Sequence, residues 1–122
     1  MANEMNTIEI KKTSREFTKV EQYLMTLDNG ITSMKDIPDG TTVMVDGWLE
    51  FVDHKKDGDV ELMAILSTDG KAYSTQSMTF KRSIHNIENI MDGQKYGVIK
   101  TSGTTKAGRP FIDCSLDVNS LQ

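Results

Sequence analysis

The fold is decided by residues 41–76, which read TTVMVDGWLEFVDHKKDGDVELMAILSTDGKAYSTQ. Apolar and polar side chains alternate over Thr41–Val52, Asp59–Ser67 and Lys71–Gln76. A period of two residues is typical of strands with one buried face, so three successive strands are predicted. Gly47 lies in the middle of the first strand, where a glycine often marks a bulge. Two turn sequences separate the strands: DHKKDG at 53–58 and TDG at 68–70.

A helix and two more strands are predicted downstream. Ser77 or Thr79 supplies an N-cap, and apolar side chains then recur along one helical face: Phe80, Ile84, Ile87 and Met91. Asp92-Gly93 ends this helix. The remaining segments are two strands and the flexible loop between them: Lys95–Thr101, Arg109–Val118 and, for the loop, Gly103–Gly108.

Upstream, residues 1–17 are polar and are predicted to be a flexible leader. Phe17 to Asn29 follows as a short amphipathic helix, whose apolar residues recur at i, i+3, i+4 and i+7: Val20, Tyr23, Leu24 and Leu27. Residues 18–122 are therefore expected to form one domain that includes this helix, in keeping with the length of the chain.

After the leader and its helix, the order of elements is β-β-β-α-β-β. Three strands, one helix and a terminal hairpin form the order of a five-stranded OB-fold barrel. An SH3-like barrel has no full helix between its third and fourth strands, and a ferredoxin-like fold needs two crossover helices. The fold class predicted is therefore mainly β: an OB-fold barrel with a short N-terminal helix.

The net charge of −4 hides an uneven distribution. Residues 1–50 hold nine acids and five bases, whereas residues 51–122 hold nine of each. The segment 93–112 contains four basic residues and no acid: Lys95, Lys100, Lys106 and Arg109. A phosphate backbone responds to the local field of a groove, so the acidic total does not exclude a nucleic-acid partner.

Several classes of protein are disfavoured by composition. No apolar run approaches the length that crosses a bilayer, and the first residues lack the layout of a secretory signal. Cys114 is the single cysteine, which suits a reducing compartment and makes the cytoplasm the expected location. His54 and His85 are far apart in sequence and belong to no ligand or catalytic motif. The sequence therefore predicts no enzymatic activity, no metal site and no cofactor.

An OB barrel that binds single strands needs cations for the phosphates and aromatic faces for the bases. Tyr73 lies on the third predicted strand with Lys71 two residues before it, so both side chains point the same way. Tyr73 is therefore a candidate stacking residue, although a tyrosine that only covers the barrel gives the same pattern.

Other candidates lie on the first and last strands. Phe111 has the parity of Arg109, opposite the apolar face of the last strand; packing by the N-terminal helix is its alternative role. Trp48 has polar-side parity on the first strand and is either a stacking or a covering residue. Cations that would contact phosphates are predicted in the fourth strand, in the last loop and, more weakly, in the first loop: Lys100, Lys106, Arg109, Lys55 and Lys56.

Three segments resemble the small single-stranded DNA-binding proteins of tailed phages, in particular those of protein-primed Bacillus phages. They are IPDGT at 37–41, STDGKAYS at 67–74, and SGTTKAG at 102–108 continuing to Phe111. The resemblance covers residues 34–118 and implies an OB-fold protein that coats displaced strands during replication. It also implies stacking by Tyr73 and by Phe51, whereas strand parity alone predicts that Phe51 is buried. A further family tyrosine in the first loop has no counterpart here, and the N-terminal helix departs from the family pattern.

The function expected is therefore sequence-nonspecific binding of single-stranded DNA during phage DNA replication, in the host cytoplasm and alongside other replication proteins. An OB-type module that binds a polypeptide is the alternative, and RNA is compatible with the same groove. The sequence does not indicate an oligomeric state.

Overall fold

The computed structural model describes residues 7–121. In this range the chain is mainly β, with one curled sheet of seven strands and two α-helices. The elements in chain order are β1 (Ile8–Thr13), α1 (Lys19–Thr26), β2 (Thr32–Ser33), β3 (Thr42–Lys55), β4 (Gly58–Ser67), β5 (Ala72–Thr75), α2 (Met78–Met91), β6 (Tyr96–Thr104) and β7 (Pro110–Asp117). Short 3-10 turns cover Met34–Asp36 and Val118–Leu121.

β3 organises the sheet because it is long enough to pair with three strands. One of its edges pairs with β4 along residues 45–55; the other pairs with β6 at residues 42–45 and with β1 at residues 49–53. The order across the sheet is β2-β5-β4-β3-β6-β7, with β1 beside β3. All pairings are antiparallel except that of β2 with β5. The sheet curls into a half-barrel.

A bulge in β3 exchanges the two faces of the strand. Its register with β4 shifts between Val45 and Gly47, which confirms the bulge predicted at Gly47. Val45 and Trp48 therefore pack in the same cluster although they are three residues apart, and Leu49 packs on the opposite face. Apolar residues consequently occur on both faces of β3 after the bulge.

Two apolar clusters stabilise the two faces of the sheet. The inner cluster lies between the curled sheet and α2 and contains Met34, Ile37, Val43, Val45, Trp48, Met63, Ile65, Phe80, Ile84, Tyr96, Val98 and Cys114. The outer cluster lies on the other face with α1 and contains Phe17, Met25, Leu49, Phe51, Ala64, Leu66 and Ala72.

Each helix begins at a capping residue that the sequence supplies. Thr18 caps α1 in a capping box, since its Oγ1 accepts from the amide of Glu21 and the Glu21 carboxylate accepts from the amide of Thr18. Ser77 caps α2 by accepting from the amide of Phe80. Asp92 ends α2 in the left-handed conformation at φ 47°.

The N-terminal segment corrects one expectation. Ile8–Thr13 forms a strand of the sheet, so residues 8–13 do not belong to a flexible leader; residues 1–6 lie outside the described range. His54 of β3 clamps this strand, because its Nε2 lies 2.8 Å from Glu9 Oε1 and its Nδ1 lies 2.9 Å from Asp59 Oδ1. The two carboxylates raise the pKa of His54 above its ordinary value, with the hydrogen bond to Glu9 as the larger cause.

Between residues 7 and 121, neither helix combines the length and the apolar character needed to cross a membrane. Over the same range, no group of three or more histidine, cysteine or acidic side chains has an arrangement that would hold a metal ion.

Candidate nucleic-acid interface

A groove of about 690 Å³ opens where β2 and the junction of β5 with α2 face the β6–β7 hairpin. The strands at the two ends of the sheet order thus contribute to one concave surface, because the sheet is curled. Its lining residues are Ser33, Lys35, Thr75, Gln76, Ser77, Met78, Thr79, Lys100, Ser102, Pro110, Phe111 and Ile112. They are collectively called the seam groove below.

The lining of the seam groove suits a polyanion that carries flat apolar groups. It includes two lysines and no carboxylate, together with five hydroxyl groups from serine and threonine. Met78, Pro110, Phe111 and Ile112 supply apolar surface beside them. Ammonium and hydroxyl groups are the usual side-chain donors to phosphate oxygens.

The N-terminus of α2 forms one wall of the groove and is held against β7. Ser77 Oγ donates to the carbonyl of Ile112 at 2.9 Å, and the Ser77 amide donates to Thr75 Oγ1 at 3.0 Å. The first turn of α2 has no acidic residue, so the partial positive charge of the helix end is not offset there.

Phe111 forms part of the opposite wall. It pairs across the β6–β7 hairpin with Gly103, and its half-buried ring lies against that glycine. A Cβ at Gly103 would come within 2.7 Å of the Phe111 ring carbon Cζ, so glycine is required for the ring to lie over β6. The ring lines the groove together with Lys35 and Lys100.

The β6–β7 hairpin ends in a tight turn at residues 105–109, so the connection is shorter than the loop predicted at residues 103–108. The Thr105 amide donates to the carbonyl of Arg109, and the Gly108 amide donates to the carbonyl of Thr105, both at 2.9 Å. Gly108 has a φ of +84°, which a side chain would strain. Lys106 and Arg109 are exposed on this turn, so both cations are displayed at defined positions next to the groove.

Lys100 lies in the groove but is already paired. Its side chain is only 6% exposed, and its Nζ lies 2.9 Å from Asp39 Oδ1. Ser102 Oγ donates to the other oxygen of the same carboxylate. These contacts, Ser102 first and Lys100 second, lower the pKa of Asp39 below its ordinary value.

Tyr73 and Lys71 lie on and beside β5, next to the groove and not in its lining. Tyr73 is half-buried, packs against the inner cluster and pairs with the fully buried Ile65. It has the parity of Thr75, which does line the groove, so the two side chains are on the same face of β5. Lys71 is exposed just before the strand. Both remain candidates for an extension of the seam groove.

Trp48 and Phe51 both belong to the core, which agrees with the buried parity of Phe51 and corrects the stacking role considered for each. Trp48 is 3% exposed, donates from Nε1 to Glu88 Oε1 at 3.1 Å and contacts the edge of His85. Phe51 is 4% exposed in the outer cluster. Neither ring offers a face to a base, and the bulge at Gly47 is the reason that Trp48 turns inward.

Lys55 and Lys56 lie at the β3–β4 hairpin and do not line the seam groove. Lys55 Nζ is 3.9 Å from Asp53 Oδ2, and further acids follow at Asp57 and Asp59. These two lysines therefore have acidic residues near them in the sequence, unlike the cations of the β6–β7 hairpin.

The structure adds residues that sequence reasoning did not single out for binding. Ser33 and Lys35 come from the segment before β3, and Thr79 from the first turn of α2. Hydroxyl residues are common next to turns and at helix starts, so the sequence alone does not single these out. The curled sheet is what brings them together in one groove. The unusual number of hydroxyl residues in 74–79 is the one signal that the sequence contained.

Comparisons of this chain with protein-family models, with curated proteins and with solved structures gave no match.

Proposed function

We propose that this protein binds single-stranded DNA without sequence preference, and that the strand lies in the seam groove and along the β6–β7 hairpin. The observation that carries the proposal is the lining itself: two lysines, of which Lys100 is bonded to Asp39, five hydroxyl groups and one aromatic ring, with no carboxylate among the lining residues. Such a surface attracts phosphates while leaving apolar area for bases.

An OB-type barrel is the fold that we propose for this binding. The order β5-β4-β3-β6-β7 with α2 between β5 and β6 supports this assignment, because these five strands follow the β-β-β-α-β-β order expected for that fold. β1, which pairs with β3, and β2, which pairs with β5, are then additions to the barrel. OB folds bind oligonucleotides across their second and third strands and between the flanking loops, and the β6–β7 hairpin corresponds to one of these loops.

The expected contacts divide into two kinds. Lys35, Lys106 and Arg109 neutralise phosphates, which makes affinity fall steeply with salt. Phe111 stacks on a base, and stacking tolerates any sequence because each base has a π-face. Coating of displaced strands during phage replication, with other replication proteins as partners, is the biological role that the sequence resemblance adds to this proposal.

The test is a titration of fluorescently labelled oligo(dT) followed by anisotropy at several salt concentrations. The Lys106→Ala/Arg109→Ala variant should weaken binding and reduce the slope of log K against log salt by about 1.4, which is two phosphate contacts at about 0.7 each for a single strand. The matched control is Lys12→Ala/Lys19→Ala, which removes the same charge from exposed positions on β1 and α1 and should change the slope far less.

Parallel titrations with poly(U) and duplex DNA define the ligand class. Tighter binding to oligo(dT) than to a duplex of equal length supports the proposal, and equal binding to poly(U) would broaden it to single strands in general. Absence of binding to oligo(dT) at low salt by the folded protein would refute it.

An OB-type module that binds a polypeptide is a second candidate, favoured by one observation. Three apolar side chains of α1 and its C-cap residue are more than half exposed: Val20 at 67%, Leu27 at 54% and Tyr23 at 52%. They recur at i, i+3 and i+7 and so form one stripe, a pattern found where helices meet partner proteins. A folded protein that binds none of the nucleic acids above would favour this candidate.

A further inference from the structure

Asp39 sits in the turn before β3 and makes two contacts with groove residues. Its carboxylate bonds both Lys100 Nζ and Ser102 Oγ, and both of these residues line the seam groove. Asp39 itself is about half exposed, at 53%, whereas the Lys100 side chain is 6% exposed. A carboxylate that is half exposed to water thus balances the charge of a nearly buried ammonium.

We propose that Lys100 Nζ and Ser102 Oγ form a subsite for one backbone phosphate, and that the carboxylate of Asp39 fills this subsite until the phosphate displaces it. The inference rests on the proposed function, since it concerns the same groove. It adds a specific competitor to the groove, an internal anion that lowers its affinity for DNA.

The chemistry of the two anions supports the exchange. A carboxylate and a phosphodiester each present two oxygens that accept from an ammonium and a hydroxyl. A nearly buried ammonium without any anion is strongly unfavourable, so Lys100 requires one of the two at all times. Two groups that satisfy the same donors, one of them tethered, compete directly.

The backbone around Asp39 permits the exchange without unfolding. The Gly40 amide donates to the carbonyl of Lys100 at 2.8 Å, and the Lys100 amide donates to the carbonyl of Thr41 at 2.9 Å. These bonds hold the turn against β6 independently of the Asp39 side chain. Because that side chain is already half exposed, rotating it fully into water changes its hydration little.

The first experiment compares Asp39→Asn with Asp36→Asn in the oligo(dT) titration. Asp36 is an exposed acid in the adjacent 3-10 turn, so its variant reports the general effect of removing one negative charge. We expect Asp39→Asn to bind about fivefold more tightly than Asp36→Asn, the factor that corresponds to losing one partly exposed ion pair. Equal or weaker binding would overturn the inference while leaving the proposed function intact.

A double-mutant cycle locates the effect at Lys100. In a Lys100→Met background the gain from Asp39→Asn should disappear, because no ammonium remains for which two anions compete. A gain that persists in this background would show that Asp39 acts by long-range charge alone, and would overturn the inference.

A measurement on the unaltered protein covers the case in which Asp39→Asn does not fold. The Asp39 carboxyl pKa, followed by carbon-13 NMR, should rise toward its ordinary value when oligo(dT) saturates the protein, since its two donors are then taken by phosphate. A pKa that stays depressed at saturation would overturn the inference.

Inorganic phosphate separates failure of the inference from failure of DNA binding. If the protein binds no oligonucleotide, the shift in unfolding midpoint with added phosphate still compares Asp39→Asn with Asp36→Asn. A larger shift for Asp39→Asn supports the subsite, and equal shifts overturn it.

Discussion

Removal of the Glu88 carboxylate should destabilise the protein markedly, because one of its oxygens satisfies two buried donors. Glu88 Oε1 accepts from Tyr96 OH at 2.8 Å and from Trp48 Nε1 at 3.1 Å. The donors belong to side chains that are 2% and 3% exposed. Burial, and then the hydrogen bond to Glu88, raise the pKa of Tyr96, so its hydroxyl remains a donor at neutral pH.

The expected magnitude follows from these contacts. An unsatisfied buried donor costs about 1–3 kcal/mol, which gives about 2–6 kcal/mol for the two donors in Glu88→Ala. Glu88 is itself half-buried, so water reaches part of the vacated space and the lower end, about 2–3 kcal/mol, is expected. Glu88→Gln keeps a carbonyl acceptor but loses the ionic strengthening, and should cost about 1 kcal/mol.

The assay is urea unfolding followed by the fluorescence of Trp48, the single tryptophan, and by far-UV circular dichroism. Tyr96→Phe removes one donor, so Glu88→Ala should cost less in that background than in the native one. The reasoning is refuted if Glu88→Ala costs under about 0.5 kcal/mol with an unchanged denaturant slope, a value typical of neutral surface changes.

Three further outcomes are expected. The pKa of His54 is raised, so its contribution is complete below 6.5 and is lost as pH rises through the folded value; that of Glu9 is lowered, so its contribution is present above 4.5 and is lost as pH falls through the folded value. Amide protection of β1 in hydrogen exchange should therefore be highest between pH 4.5 and 6.5, and the loss of protection above pH 6.5 should disappear in His54→Gln. Gly47→Ala places a Cβ 2.7 Å from the Phe17 ring and should cost about 1–3 kcal/mol in thermal unfolding, with rescue by Phe17→Leu. Thr18→Ala should cost about 1 kcal/mol through loss of the capping box, while Thr18→Ser should be close to neutral.

Regular periodicity predicted the positions of several strands and of the second helix. β4, β5, β7 and α2 lie within a few residues of the predicted ranges, because a regular period of 2 or 3.6 is visible without tertiary information. β1 was not predicted: it carries Glu9, Lys11 and Lys12, and its order depends on pairing with β3 and on the clamp by His54. β2 is two residues long, too short for any period.

The residues of the candidate site likewise divide into those predicted from local signals and those whose position depends on tertiary structure. Phe111, Lys106 and Arg109 follow from strand parity and from a turn sequence, both of which are local signals. Trp48 was misassigned because a bulge of one residue reverses parity, and its partner Glu88 is 40 residues away. Sequence periodicity gives the position of Gly47 but not the direction in which the strand continues after it.

The internal bonds of nearby acids reconcile the acidic net charge with the DNA binding proposed for the seam groove. Asp39 is bonded to Lys100 and Ser102. Asp113, next to the groove residue Ile112 on β7, accepts from Ser83 Oγ at 2.5 Å and from the amide of Cys114 at 2.8 Å. Carboxylates held in this way project less negative potential into the groove, because their oxygens are directed at protein donors.

The effect of an acid near the groove on affinity should depend on which group its carboxylate is bonded to. In the exchange that we propose, a carboxylate bonded to a groove cation competes directly with a phosphate, whereas one bonded to a serine or an amide acts only through its electrostatic field. Neutralising Asp39 and neutralising Asp113 should therefore have different effects on affinity although each removes one charge. If the difference in affinity between the two variants disappears when Lys100 is replaced, Lys100 is the residue through which Asp39 lowers the affinity for a polyanion.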